Sequence, residues 1–131
     1  MAKEVVGVQG ISEVLEKAKV PLSPAVKANG FVFVSGCPPI DRSTGQIVRT
    51  DIVQQTELVM ENVKAVLEAA GTTLENVVKV NIYIANSAYY DTVNEIYGRY
   101  FPHDPPARTC ATVGSWPWEF DIEIECVAVE G

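Results

Sequence analysis

Two runs near the carboxyl end of the chain show an alternation of side chains with a period of two residues. These runs constrain the fold more than any other feature of the sequence. They are residues 106–113 (PARTCATV) and residues 121–129 (DIEIECVAV). Because alternation with period two is the pattern of a β-strand, both runs are predicted to be strands. Arg108 and Cys110 then share one sheet face, and Glu123 and Glu125 share one face of their own strand.

The charged residues of these runs suggest a site for an anionic small molecule. A fixed guanidinium binds carboxylates well because its fork of donors matches two oxygens. A glutamate in the same pocket can orient a water molecule and accept its proton. Arg108 and Glu123 together therefore suggest a site for an anionic substrate. The alternative is a structural salt bridge between neighbouring strands.

Length and composition predict one compact domain spanning residues 1–131. The chain has 131 residues, of which 47% are apolar and 21% are charged, so a sizeable core is expected. A net charge of −7 argues against nucleic acid as a partner, since phosphate binding needs a basic surface. No apolar run approaches the about 18 residues of a membrane helix, and the first residues lack a signal core. A cytoplasmic location is expected.

The cysteines and the histidine do not form a metal-binding pattern. Cys37, Cys110 and Cys126 are widely spaced and odd in number, which is typical of reduced thiols rather than of disulfides. His103 is the single histidine, and it lies in a proline-rich turn. The sequence elements of a zinc deaminase and the glycine-rich loops of nucleotide-binding proteins do not occur. We predict chemistry without a metal or nucleotide.

The remaining elements follow from apolar spacing and from turn residues. Asn29-Gly30 predicts a tight hairpin between strands at 26–28 and 31–35. Apolar residues at steps of three and four predict a helix from about 51 to 70, with Thr50 as its N-cap and Gly71 as its end. Further predictions are a short helix or turn at 11–19, a turn at 41–45, a strand at 77–84 and a helix at 88–100 capped by Ser87.

This order of elements predicts an α+β domain with one sheet and two helices against one face. The other face is expected to carry Arg108, Glu123 and Glu125 among valines, isoleucines and cysteines, which makes it too apolar to leave to water. A symmetric oligomer would bury such a face and would put the site between subunits.

Five segments in this order resemble the RidA/YjgF/UK114 family, whose members are small deaminases of reactive enamines and imines. The likeness covers nearly the whole chain. The segments are Val34-Ser35-Gly36 with the prolines after it, residues 62–71 (NVKAVLEAAG), Thr92-Val93-Asn94 with Tyr97, residues 106–110 (PARTC) and residues 122–125 (IEIE).

The resemblance implies a chorismate-mutase-like fold: a single domain with a mixed six-stranded sheet and two helices on one face, assembled as a homotrimer with three sites between subunits. It implies that Arg108 binds the substrate carboxylate and that Glu123 helps to position the attacking water. Ser35, Gly36 and Cys110 match positions that line the pocket. The family arrangement needs no cofactor.

The chain departs from the family pattern near the expected pocket. It has Ser23-Pro24-Ala25 where many members have Gly-Pro-Tyr, and Cys37 where they commonly have glutamine. With the tryptophan-containing loop 114–118, these segments resemble the branch of 2-aminomuconate deaminases of aromatic-compound degradation. Lys27 could then bind a second carboxylate, and Trp116 or Trp118 could lie against a conjugated substrate. The alternatives are a solvated lysine and a packed loop or trimer contact.

The predicted function is hydrolytic, cofactor-independent deamination of an enamine or imine carboxylate with release of ammonia. The preferred substrate is 2-aminomuconate, and the first alternative is 2-aminoacrylate or 2-iminopropanoate. A non-enzymatic ligand-binding or chaperone-like trimer is the second alternative. Cys110 is either a nucleophile or a small apolar residue, the latter being preferred. Glu125 either shares the acid–base work or pairs with Arg99, Arg108 or Lys79.

Overall fold

Residues 2–131 are described by a computed structural model, and they form eight strands and three α-helices. The helices are α1 (Ser12–Lys17), α2 (Ile52–Ala69) and α3 (Tyr90–Tyr100). The strands are β1 (Glu4–Val6), β2 (Ala25–Ala28), β3 (Phe31–Cys37), β4 (Ile40–Asp41), β5 (Gln46–Ile47), β6 (Val77–Ile84), β7 (Ala107–Thr112) and β8 (Ile122–Val129). None of the helices in residues 2–131 has the length and apolarity needed to cross a bilayer.

Six strands make one mixed sheet in the order β1-β2-β3-β8-β6-β7. All neighbours are antiparallel except β6 and β7, which run parallel because α3 connects them. Helices α2 and α3 pack against the same face of this sheet through buried apolar residues such as Val63, Leu67 and Val93. The predicted α+β class and the mixed six-stranded sheet are confirmed.

The hairpin between β2 and β3 has the predicted two-residue loop. Ala28 pairs with Phe31, and the two loop residues, Asn29 and Gly30, have φ values of 54° and 84°. Positive φ at both positions is the geometry of a type I′ turn, whose twist matches that of the strands. This turn fixes the register of β3, which carries Ser35, Gly36 and Cys37 toward the site.

The long helix α2 ends as predicted but begins with a different cap. Gly71, with φ of 83°, ends the helix, and its N–H donates to the carbonyl of Glu68 at 3.0 Å. At the other end the side chain of Asp51 accepts a hydrogen bond from the N–H of Gln54 at 2.8 Å, so Asp51 is the N-cap and the prediction of Thr50 was wrong.

The second predicted helix begins with one 3₁₀ turn, Ser87–Tyr89, before α3. Its cap is Asn86, whose side chain accepts from the N–H of Ala88 at 2.9 Å, and not the predicted Ser87. The turn predicted at 41–45 is the loop of a small hairpin formed by β4 and β5. Strand β1, which the residue pattern did not predict, pairs with β2 at the edge of the sheet.

The pairing register separates the two predicted catalytic residues. Arg108 pairs with Val80, whose side chain is buried under the helices, so Arg108 projects on the helix side of edge strand β7. Glu123 pairs with Tyr83 and alternates with the buried Ile122 and Ile124, so Glu123 projects on the opposite, open face. The prediction that Arg108 shares the open face with Glu123 and Glu125 was wrong.

Candidate functional site

The guanidinium of Arg108 is held by two tyrosines of α3. Its Nη2 donates a hydrogen bond to the hydroxyl oxygen of Tyr90 at 3.0 Å. Its Cζ lies 5.1 Å from the ring centre of Tyr97 and 5.6 Å from that of Tyr90, within the range of cation–π attraction. Within residues 2–131, no carboxylate lies within salt-bridge distance of Arg108. The cation is thus oriented by aromatic rings while its charge is left to attract an anion.

Tyr90 and Tyr97 were not predicted as parts of the site. Tyr97 is buried, and burial raises its pKa to about 12 while the charge of Arg108 opposes that shift. Both tyrosines lie on α3, the helix that connects β6 to β7, and they contact Arg108 of β7 through the tertiary structure. No local sequence pattern predicts that contact.

Glu123 lies directly against the backbone of Gly36. A Cβ atom built on Gly36 would overlap the Oε1 atom of Glu123. The pairing of β3 with β8 is interrupted between Val34 and Cys37, and this irregularity brings the glycine to the carboxylate. Only glycine leaves the space that the carboxylate of Glu123 occupies.

The surroundings of Glu123 shift the pKa of its carboxyl. Burial raises the pKa of this carboxyl above its ordinary value, hydrogen bonding from the Trp116 side chain acts in the opposite direction, and the negative charge of Glu125 raises the pKa further. A carboxylate with a raised pKa is a stronger base than an exposed glutamate, so Glu123 is suited to accept a proton from water.

A cavity of about 480 Å³ opens beside Glu123. Its walls come from α1 and the segment after it, from the β3 bulge, from α2 and from the loop before β8. The lining includes Ser35, Gly36, Cys37 and Trp116, which are four of the predicted substrate-binding residues. Trp116 stacks on Phe120 with ring centres 4.5 Å apart, so its indole is fixed in the wall.

A buried polar cluster anchors the start of β8 and therefore the position of Glu123. The fully buried side chain of Gln55 accepts from the N–H of Asp121 and donates to Asp121 Oδ2, both at 2.9 Å. Arg49 adds an ion pair to Asp121 at 3.3 Å. Because these residues join the first turn of α2 to the strand, they hold β8 in register two residues before Glu123. Sequence reasoning missed this cluster.

Three other predicted site residues, Ser35, Cys37 and Cys110, lie on β3 and β7. Ser35 is tied to the segment before β2, since its hydroxyl donates to the carbonyl of Ser23 at 2.6 Å. Cys37 is buried, and burial raises the pKa of its thiol. Cys110 lies near Arg108 on the helix side of β7 and is half-buried. Burial raises its thiol pKa more than Arg108 lowers it, so Cys110 remains a protonated thiol.

Two predicted residues have other partners. Lys27 lies on β2 with its Nζ 3.7 Å from Glu130 Oε1, and it is not among the residues lining the cavity. Glu125 accepts a hydrogen bond from the Tyr83 hydroxyl at 2.5 Å, and Tyr83 in turn has a raised pKa because of this bond. None of the three cations considered for Glu125 is its partner within residues 2–131; Arg99, for example, pairs with Glu57 and Glu95. In the same range, no three side chains of the kinds that bind metals are grouped to hold an ion.

Comparison with known proteins identifies the family. The family model for endoribonuclease L-PSP matches residues 12–130. The chain belongs to this family, also known as RidA/YjgF/UK114. The resemblance drawn from the five sequence segments is confirmed.

Relatives within the RidA family are similar over most of the chain. A RutC family protein of Pyrococcus abyssi is 43% identical over 128 residues, which is 98% of both chains. The chloroplastic reactive intermediate deaminase A of Arabidopsis thaliana is 43% identical over 116 residues, covering 86% of this chain and 62% of the relative. The crystal structure of yeast YEO7 superposes with a TM-score of 0.90 at 33% identity, covering 99% of this chain and 100% of the other.

Proposed function

We propose that this RidA family member is a cofactor-independent hydrolytic deaminase of enamine and imine carboxylates. The observation that carries the proposal is the state of Arg108, a guanidinium oriented by two tyrosines and left without a carboxylate partner in residues 2–131. A bidentate carboxylate fits such a group. The similarity to a relative named as a reactive intermediate deaminase supports the same conclusion.

The reaction consumes one water and releases one ammonia. An enamine first tautomerises to the imine, and water then adds to the carbon of R–CH2–C(=NH)–COO⁻. The tetrahedral adduct loses ammonia to give the 2-oxo acid R–CH2–CO–COO⁻. Arg108 holds the carboxylate and so fixes the neighbouring imine carbon. Glu123 orients the water and accepts its proton, which its raised pKa favours, and it returns the proton to the nitrogen that leaves as ammonia.

Arg108 and Glu123 can act on one substrate only if they come from different copies of the chain. In a single copy they project from opposite faces of the sheet. Arg108 lies on edge strand β7, where a second copy can approach, and the open face beside Glu123 exposes Phe31 and Phe33. Burial of those side chains would favour association. We therefore propose a homotrimer in which each site combines Arg108 of one subunit with Glu123 of its neighbour.

The features of the site favour imines with a single carboxylate, such as 2-iminopropanoate, over 2-aminomuconate. The latter has two carboxylates and needs a second cation, and Lys27, the residue predicted for this role, pairs with Glu130 away from the cavity. Among the described residues that line the cavity, Glu123 alone is charged, and it would repel a second carboxylate. A side-by-side comparison of hydrolysis rates for the two substrates tests this preference.

Cleavage of RNA, which the family name endoribonuclease L-PSP suggests, has less support. The chain carries a net charge of −7, and the cavity combines apolar walls with a carboxylate. Phosphate-binding surfaces are basic, and their affinity depends on several cations. A non-enzymatic ligand-binding role would need the cavity but not the proton transfer by Glu123, so turnover distinguishes it from the proposed activity.

The activity is tested with imines generated in place by an amino-acid oxidase acting on alanine. The remaining imine is trapped with semicarbazide, and loss of semicarbazone absorbance measures hydrolysis. We expect the protein to accelerate hydrolysis and Arg108→Ala to return it to the spontaneous rate. Arg99→Ala is the matched control, since that exposed arginine has glutamate partners of its own. Full activity of a folded Arg108→Ala variant would overturn the proposal.

A further inference from the structure

The cavity beside Glu123 is far larger and more apolar than a three-carbon substrate requires. An apolar cavity of about 150 Å³ is enough to hold a benzene ring, whereas this one has about 480 Å³. Away from Glu123, its walls are built mainly from aliphatic and aromatic side chains. These are Ile11, Leu15, Val20, Leu22, Ile40, Val66, Trp116, Trp118 and Phe120.

The cavity is continuous with the reacting end of the proposed site. Glu123, Gly36 and Ser35 line it together with residues that belong to α1 and α2. The lining therefore extends from the open face of the sheet, where Glu123 projects, past the β3 bulge to the helix layer. A substrate whose imine carbon lies beside Glu123 can extend its side chain into this space without leaving the site.

The chemistry of the walls selects the kind of side chain. A charged group would lose its hydration there without gaining a partner of opposite charge, whereas an apolar ring would replace water against indole and aliphatic surfaces. Trp116 is fixed by stacking on Phe120 at 4.5 Å, which gives a preformed aromatic wall. In addition, Ala18 lines the cavity with a small side chain, which leaves the space open.

We propose that the substrate class of this protein is 2-imino acids with an uncharged aromatic side chain, which the Trp116–Trp118 cavity accommodates. This rests on the proposed deaminase function and specifies its substrate. The imine of phenylalanine represents the class, and the imine of alanine represents the small alternative. Burial of a phenyl ring is expected to raise kcat/KM for the former by about tenfold or more relative to the latter.

Binding is tested without catalysis by intrinsic fluorescence. The chain has two tryptophans, and both line this cavity, so tryptophan emission reports its occupancy. We titrate the protein with 3-phenylpropanoate, an unreactive analogue, and with propanoate as the control. We expect a saturable shift to shorter wavelength with the aromatic acid at concentrations where propanoate gives none. Equal responses to the two acids, or no response, would overturn the proposal.

A cavity-filling variant tests selectivity. Ala18 is exposed at the end of α1 and lines the cavity, so Ala18→Phe narrows it without disturbing the core. Ala69→Phe, at an exposed position of α2 outside the lining, is the matched control. We expect Ala18→Phe to lose the fluorescence shift and most of the preference in kcat/KM for the phenylalanine imine over the alanine imine. Ala69→Phe should keep both properties.

The outcomes separate the two proposals. Suppose that the alanine imine is hydrolysed, but that kcat/KM for the phenylalanine imine is no higher or that Ala18→Phe does not remove the difference. The aromatic specificity is then wrong, and the deaminase function stands. If neither imine is hydrolysed while 3-phenylpropanoate still shifts the emission in a manner sensitive to Ala18→Phe, the deaminase function is wrong. The aromatic-acid site then stands.

Discussion

The α-carbon of Gly36 lies so close to the carboxylate of Glu123 that a methyl group at position 36 would overlap Oε1. Gly36→Ala must therefore displace the carboxylate from the cavity. Since a displacement of about 1 Å at a reacting group can lower the rate about 100-fold, we expect a loss of that order in kcat for imine hydrolysis. The semicarbazide-trapping assay measures it.

The control for this variant is Gly98→Ala. Gly98 lies inside α3, and a Cβ there meets nothing within 4 Å. Alanine in a helix interior is favoured over glycine by about 0.5–1 kcal/mol, so this variant should be slightly more stable and fully active. Retention of normal kcat in Gly36→Ala would contradict the assigned position of Glu123.

Loss of the hydrogen bond between Arg108 and Tyr90 should weaken the binding of the substrate. Tyr90→Phe keeps the ring but removes the hydroxyl that accepts from Arg108 at 3.0 Å. Because Tyr90 is exposed, we expect a modest effect, a KM raised by about 3- to 10-fold with kcat nearly unchanged. Tyr89→Phe, at the neighbouring tyrosine, serves as the control. An unchanged KM in Tyr90→Phe would show that Arg108 is oriented without this bond.

The raised pKa of Glu123 predicts the acid limb of the pH profile. Glu123 must be ionised to accept a proton, so activity should fall as the pH decreases through its pKa. Burial and the charge of Glu125 raise that pKa above the ordinary 4.5, so the midpoint should lie above 4.5. Glu125→Gln should move the midpoint to lower pH. A midpoint at or below 4.5 in the unmodified protein would exclude this environment for Glu123.

The same shift predicts that Glu123 lowers stability at neutral pH. A carboxyl whose pKa is raised on folding binds protons more tightly in the folded state. The free energy of unfolding therefore decreases as the pH rises above the pKa that Glu123 has in the unfolded chain. Glu123→Gln should therefore have a higher Tm than the unmodified protein at pH 7, and the difference should vanish below about pH 4.5. Thermal unfolding followed by circular dichroism at several pH values measures it. A Tm difference that does not depend on pH would indicate that packing, not ionisation, causes it.

Covalent catalysis by Cys110 is predicted not to occur. Burial raises the pKa of this thiol, and the nearby Arg108 only partly opposes the shift, so the thiolate is scarce at neutral pH. We expect Cys110→Ser to keep kcat within about twofold of the unmodified protein, since serine has a similar volume. Loss of turnover in a folded Cys110→Ser variant would contradict this prediction.

Local sequence patterns predicted most of the helices, strands and turns. The errors in the helix caps also have local causes. The Asn29-Gly30 turn and the Gly71 helix end depend on conformations that few residues adopt, so they are readable from sequence. The caps were misplaced because Thr50 and Asp51 are adjacent residues that can both cap, and the geometry of the first turn decides between them.

The geometry of the site could not be predicted from the alternation of residues along the strands. Period two establishes that Glu123 and Glu125 share a face, but the register of β7 against β6 decides which face Arg108 takes. The cavity likewise joins segments far apart in the chain, from Ile11 on one side to Trp118 on the other, so its volume and apolar character follow only from the tertiary structure.

If Arg108 of one copy and Glu123 of another serve the same substrate, two inactive variants should complement each other. Arg108→Ala and Glu123→Gln are each expected to be inactive alone. Coexpressed in equal amounts and assembled at random, they should give one intact site in each mixed trimer, where Arg108 comes from one variant and Glu123 from the other, so that about one quarter of all sites are intact. The control mixes Arg108→Ala with the Arg108→Ala/Glu123→Gln double variant, which leaves no intact site.

The decisive measurement is imine hydrolysis by these purified mixtures. We expect the mixture of single variants to recover about one quarter of the unmodified activity and the control mixture to recover none. A mixture of single variants that stays inactive, although the two chains are found in the same trimers, would contradict a site shared between subunits.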